Sequence, residues 1–238
     1  MAASRGFRPM ARWLAGLMLC AVLALPLPGS RAQDGEVDLA LVLAIDCSFS
    51  VDEREFALQM QGLGRALMSE DVKSAIAQGT HRRIALAAVQ WSDELNQVTV
   101  LPWTVIASAA EADLVGMRLM TMRRQLAQGG TSISAALRFS QALFRSAPPA
   151  TRQVVDVSAD GRNNGGPPVP ALRDQLVAQG ITINGLTILN EWPTLDTYFE
   201  ANVTGGEDSF VIPANDYESY GEAILRKLLR EITGPGIS

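Results

Sequence analysis

The sequence predicts an α/β fold, a doubly wound and mainly parallel sheet with one antiparallel edge strand. Three observations carry this. Short runs that are apolar almost throughout recur along the chain, as expected of strands covered on both faces. Segments with apolar residues at helical spacing separate them, and parallel strands need such crossovers. One run holds a proline and follows its predecessor after only Ser92-Asp93-Glu94-Leu95-Asn96, which marks a hairpin at a sheet edge.

Residues 37–45 (VDLALVLAI) are the first strand. A helix follows, with Phe56, Met60, Leu63 and Leu67 on one face and Asp52, Glu53 and Glu55 near its positive N-terminus. Residues 83–91 (RIALAAVQW) form the second strand, and residues 97–106 (QVTVLPWTVI), with Pro102, the edge strand. Val115, Leu119, Met122 and Leu126 make a helical stripe ended by Gly129-Gly130, and Ile133, Leu137, Ser140 and Phe144 make another ended by Pro148-Pro149. Residues 153–157 are a strand running into Ser158-Ala159-Asp160-Gly161. A short helix over 170–179, a strand over 181–189, a helix over 195–203 and a last strand over 208–212 complete the alternation, a Rossmann-like order. Tyr217, Tyr220, Ile224 and Leu228 form the apolar face of the closing helix. With no internal repeat, low-complexity tract or long linker, one domain is expected.

Composition narrows the function. Of 238 residues, 47% are hydrophobic, which excludes wholesale disorder. A net charge of −5 without a dense basic run excludes a nucleic-acid footprint. Two cysteines build neither a disulfide framework nor a four-Cys zinc site, and a single His removes most His-dependent catalysis. Arg5, Arg8 and Arg12 precede an apolar run over residues 13–27, which Pro26, Pro28 and Gly29 break before Ser30-Arg31-Ala32. A basic start, a short apolar stretch and an S-x-A ending describe a secretory signal peptide, and the run is shorter than the ~20 residues of a bilayer span. The expected domains are therefore 1–32, a signal peptide in which Cys20 is a small hydrophobe, and 33–238, the folded chain. Cleavage removes four Arg and no acid, which takes the charge from −5 to −9 and leaves Cys47 as the only cysteine. A periplasmic or secreted monomer without a membrane span is expected.

In an open α/β sheet, ligands bind outside the carboxyl ends of the strands, where the strand order reverses. Three such ends here carry oxygen-bearing side chains: Asp46-Cys47-Ser48-Phe49-Ser50 after the first strand, Asp160-Gly161 after the strand at Val157, and Gly130-Thr131-Ser132 before the helix at Ile133. Each is ordinary alone, because Ser50 or Thr131 suits a helix N-cap and Asp160-Gly161 a turn. Together, in this order, they are a specific pattern.

The pattern resembles the von Willebrand factor type A domain with its metal-ion-dependent adhesion site. The match is DxSxS at Asp46, Ser48 and Ser50, the threonine at Thr131 and the aspartate at Asp160, within a likeness over roughly residues 36–232. The chain looks closest to a family of secreted bacterial proteins with such a domain and no assigned function, through the segments 156–164 (DVSADGRNN), 180–186 (GITINGL) and 227–232 (KLLREI). The resemblance implies that Ser48, Ser50 and Thr131 offer hydroxyl oxygens to a divalent ion and that Asp46 and Asp160 hold it mostly through water. It also implies that a protein partner completes the coordination with an Asp or Glu carboxylate. An all-oxygen donor set suits Mg²⁺, or Mn²⁺, better than Zn²⁺, and Cys47 is expected to point away from Ser48 and Ser50. Two features depart from or adjoin the pattern. Ala159 stands where the closer family has glycine and many type A domains threonine, which puts a wider side chain beside the turn at Asp160. Asn163-Asn164-Gly165-Gly166 is either a mobile rim beside the ion or a loop that needs positive φ.

Two other functions stay open on residues alone: a metal-dependent hydrolase and a structural type A domain without bound metal. His81 begins a strand at the end away from the strand-end oxygens, and neither a G-x-S-x-G elbow nor a P-loop occurs. Asp93-Glu94 and Glu207-Asp208 read as solvated turn charges, and Cys47 has no His partner in view. The sequon at Asn202-Val203-Thr204 means little in a bacterial periplasm. The expectation is a binding module that catalyses nothing.

Overall fold

The computed structural model describes residues 2, 35–127 and 129–234; the expected signal peptide over 1–32 lies, residue 2 apart, outside the described residues. Ten-residue β1 (Val37–Asp46) is buried at every position but Asp38, which is why it reads as apolar on both faces. Alternation sends Leu39, Leu41, Leu43 and Ile45 into one core and Val42 and Ala44 into the other. With β2 (Ile84–Trp91), β3 (Gln97–Ile106), β4 (Ala150–Ala159), β5 (Ile181–Ile188) and β6 (Val211–Ala214), it forms a sheet of order β3-β2-β1-β4-β5-β6. All neighbours pair in parallel except β3, which runs antiparallel to β2. Pro102 is exposed on this edge, where a bulge lets Pro102 and Trp103 pass Ala87. The chain leaves β1 toward β2 on one side and later returns to β4 on the other, so the switch point lies between β1 and β4.

Helices α1 (Glu53–Met68), α2 (Glu70–Gln78), α3 (Ala109–Met120) and α7 (Tyr220–Thr233) pack on one face of the sheet. On the other face lie α4 (Ile133–Leu143), α5 (Val169–Val177) and α6 (Leu195–Asn202). Asp52 and Glu55 close a capping box that fixes the start of α1. Among the described residues, no helix is long and apolar enough to cross a membrane.

Three elements depart from the sequence expectation. After α1, Ser69 caps a further helix, α2, whose only buried residues, Val72 and Ile76, are too few to show a stripe. The stripe expected to run to Leu126 stops at Met120. Buried Gln90 takes the next segment instead, donating to the carbonyl of Arg123 at 2.9 Å and accepting from the amide of Gln125 at 2.6 Å. The last strand begins at Val211 rather than 208, because Gly206 and Asp208 adopt positive φ of 97° and 53° in a turn.

One buried polar cluster was not readable from sequence. Lys227 Nζ, with no exposure, pairs with Asp156 Oδ2 at 2.9 Å and Glu231 Oε1 at 2.6 Å, and the Asn184 amide also donates to Glu231 Oε1. Burial raises both carboxyls, Glu231 from 4.5 to about 7. A raised carboxyl pKa means the folded state holds the proton more tightly than the unfolded chain. Its stabilising share is therefore complete below about 4.5 and lost as pH rises through about 7. Urea unfolding midpoints should fall across that window, and Glu231→Gln should flatten the fall; an unchanged profile in the variant would contradict this account.

Candidate metal site

Asp46 ends β1, and Asp160 follows the last residue of the adjacent β4, so parallel pairing brings both acids to one end of the sheet. After Asp46 the chain turns. The Cys47 amide donates to the carbonyl of Trp91 at 2.8 Å, and the Ser48 amide donates to Asp46 Oδ1 at 2.7 Å. This extended start alternates the side chains. Cys47 drops into the core, its thiol pushed up to about 12 by burial and by the charge of Asp46, while Ser48 stays at the site. The hydroxyls of Ser48 and Ser50 lie 3.1 Å apart. Ser50 Oγ donates to Asp160 Oδ1 at 2.6 Å across 110 residues of chain.

Thr131 reaches the same place from the loop before α4. A Cβ at Gly161 would sit in ordinary contact with its Oγ1, at 3.6 Å, which places the hydroxyl beside the turn that carries Asp160. The three expected segments thus meet, and Asp46, Ser48, Thr131 and Asp160 are all buried. Ala159 is fully buried in the second core, and the carboxylate beside it is nonetheless anchored, by Ser50 and by Tyr217.

The electrostatics are unbalanced. Burial first, and then the charge of Asp160, raise Asp46 to about 8. Its Oδ2 is buried and has no hydrogen-bond partner. Arg124 favours the Asp46 charge only at a distance, since its guanidinium bonds the carbonyl of Val51 and lies over the Phe56 ring. An unpartnered buried oxygen, a second carboxylate and three hydroxyls fit a divalent cation with oxygen ligands. Among the described residues, no three His, Cys, Asp or Glu side chains cluster as a metal site, so a site here depends on its hydroxyls.

Several supporting residues escaped the sequence reading. Tyr217, expected only as part of an apolar face, donates its hydroxyl to Asp160 Oδ2 at 2.9 Å. Asn164 clamps Thr131 from both sides, accepting from its amide and donating to its carbonyl at 2.8 Å each. Asn163 accepts from the Ser134 amide at the start of α4. The loop they open does contain a positive φ, 79° at Gly166. Asp93 and Glu94 are more than solvated turn charges. Asp93 ties down the hairpin through Leu95 and Asn96, and Glu94 Oε1 accepts from the Gly166 amide at 2.6 Å, latching the hairpin to this loop. No sequence signal pairs such distant polar residues. His81 lies just before β2 at the far end, where its amide donates to Asp38.

Residues 36–236 match the family model described as "Protein of unknown function (DUF1194)". The chain belongs to this family. No curated protein matches it. Among solved structures, it is similar to proximal thread matrix protein 1 from the mussel byssus with a zinc-occupied MIDAS motif, at 15% identity and a TM-score of 0.63, covering 83% of this chain and 48% of that one. The pilus adhesin SpaC of Lactobacillus rhamnosus GG matches at 14% identity and 0.60, covering 83% and 31%. The vWF domain of the type V pili tip protein Mfa5 from Porphyromonas gingivalis matches at 10% and 0.55, covering 86% and 99%. The chain thus spans about half the length of the mussel protein. These likenesses identify the fold of this DUF1194 member as von Willebrand factor type A-like.

Repulsion between two buried acids has a consequence in metal-free protein. Asp46→Asn keeps the oxygen that accepts from the Ser48 amide. It removes a carboxyl that burial, and then Asp160, holds protonated below about pH 8 although the unfolded chain ionises it. The variant should therefore raise stability in EDTA at pH 7 by more than roughly 1 kcal/mol, the scale of a one-unit pKa shift. Thermal unfolding of both proteins in EDTA checks this, and a less stable variant would refute it.

Proposed function

We propose that residues 33–238 form a secreted, metal-dependent protein-binding module and that residues 1–32 are its cleaved signal peptide. The observation that carries the reading is the buried, unpartnered Oδ2 of Asp46 beside the second buried carboxylate, Asp160. Ser48, Ser50 and Thr131 would offer hydroxyls to a Mg²⁺ or Mn²⁺ ion, with Asp46 and Asp160 holding it mostly through water. Neutral hydroxyl ligands leave much of the ion's charge unquenched, so it can accept a carboxylate from a partner protein. The zinc-occupied MIDAS motif of the mussel protein and the adhesin among the similar folds support a metal-dependent, adhesion-type role.

The chain's own groups argue against catalysis. Asp160 is engaged on both oxygens, by Ser50 and by Tyr217, so it does not stand free as a general base. The one His lies at the other end of the sheet.

Wild-type protein should melt higher in millimolar Mg²⁺ than in EDTA, by the equivalent of about 2.7 kcal/mol at a hundredfold excess over Kd. Asp46→Ala should show no such shift. Partner captured in Mg²⁺ should elute with EDTA, and a mass beginning at Gln33 should mark the exported chain. An identical melting curve with and without metal would sink the metal site, and binding that survives EDTA would sink the mode of recognition.

A further inference from the structure

At the opposite end of the sheet from Asp46, a cavity of about 420 Å³ opens between the first residues of β4 and β5, the turn before β6 and the end of α7. That volume is typical of small-molecule sites. Its inner wall includes Glu231, only 2% exposed. Glu231 Oε1 already accepts from Lys227 and Asn184, whereas Oε2 is buried without a partner. Asn184 Oδ1 in turn accepts from the Phe210 amide at 3.2 Å.

Half-buried Arg152 contributes to the same cavity. One Nη2 bond, to the carbonyl of Ile232 at 3.0 Å, engages a guanidinium that has five N–H donors. The guanidinium lies against Gly234, a helical turn beyond Glu231, so the cationic fork and the acidic wall belong to one small space. Arg230 stacks on the Phe210 ring, 3.9 Å from its centroid, and gives the cavity an aromatic wall. Glu207 and Asp208 stand in the same lining.

This mixture selects a ligand by charge. A purely cationic molecule would meet Arg152 and Arg230, and a purely anionic one would meet Glu231, Glu207 and Asp208. A molecule with an amine and a carboxylate on neighbouring atoms answers both. We propose that the cavity is a binding site for a free α-amino acid. Its ammonium faces the acidic lining of Glu231, Glu207 and Asp208, its carboxylate accepts from Arg152, and its side chain extends into the cavity.

The site is separate from Asp46 and Asp160, so it is tested in EDTA on the full chain. The probes are the common L-amino acids, with the matching amine and the matching carboxylic acid of each one that binds. At least one amino acid at millimolar concentration should raise the melting temperature by about 2–4 °C. Its amine and acid analogues should not. The shift should persist in Asp46→Ala and disappear in Arg152→Met and in Glu231→Gln, each confirmed as folded by circular dichroism. Arg152→Met alone decides the matter should Glu231→Gln fail to fold. Absence of a shift with every amino acid, equal binding of an analogue lacking either charge, or full binding by Arg152→Met would each overturn the proposal.

Discussion

Two buried carboxylates at the end of adjacent parallel strands set the demands on the rest of the structure. Asp46 and Asp160 are neighbours because β1 pairs with β4, and hydrophobic burial of both strands leaves no freedom to move either acid into water. Asp160 is satisfied by donors from elsewhere, while Asp46 keeps Oδ2 without one. Ser50 lies just before α1, Thr131 just before α4 and Tyr217 just before α7, so the segments leading into three helices converge on the acids. Those helix starts also direct the positive ends of their backbone dipoles toward this end of the sheet, where negative charge is stabilised. The loop contacts around the site follow from the same demand. Asn164 fixes Thr131, and Glu94 fixes the loop that carries Asn164.

The sheet handles a third buried acid differently. Asp156 lies four residues before Asp160 on β4, and strand alternation puts Asp156, Ser158 and Asp160 on one face. Along that row the segment from Tyr217 through α7 meets both ends, with the tyrosine hydroxyl at Asp160 and Lys227 at Asp156. At the lower position an internal ammonium compensates the carboxylate permanently. At the upper position the compensating groups are neutral hydroxyls, which satisfy hydrogen bonds without cancelling charge. The contrast separates a structural acid from one left able to attract a cation. Lone buried pairs of like charge are costly, and on the proposed function a bound ion would compensate this one.

The alternation of strands and helices was legible because it depends on local apolar spacing, and nearly every element lies within a few residues of its expected place. The failures came where a distant side chain overrode local pattern. Met122 and Leu126 continue a helical stripe in the sequence, yet Gln90 from β2 captures the backbone between them in a non-helical path. Lys227 and Glu231 look like a solvated pair four residues apart, and only Asp156 on another element explains their burial. At the site, Asp46, Ser48 and Ser50 were readable because one turn holds all three. Thr131 and Asp160 needed the rule about strand ends and the family resemblance. Tyr217 gave no signal, since an apolar stripe hides a hydroxyl, and Asn164 was legible only as part of a rim or positive-φ loop, not as the clamp on Thr131.

Cys47 shows how the turn limits its own chemistry. It stands between Asp46 and Ser48, within reach of a site by sequence, but backbone alternation buries it and holds its thiol protonated. The loop therefore presents oxygen alone, a donor set that favours hard cations such as Mg²⁺ or Mn²⁺ over thiophilic ones. On the proposed function, the same chemistry would make recognition conditional. A chain with more acids than bases repels an acidic partner through its general field. Under the proposed function, the carboxylates at the site contribute to that repulsion until a bound cation would reverse the sign locally. Hydroxyl ligands would make that reversal effective, because a site built from four or five carboxylates would bind the ion and leave nothing for a partner's acid to neutralise.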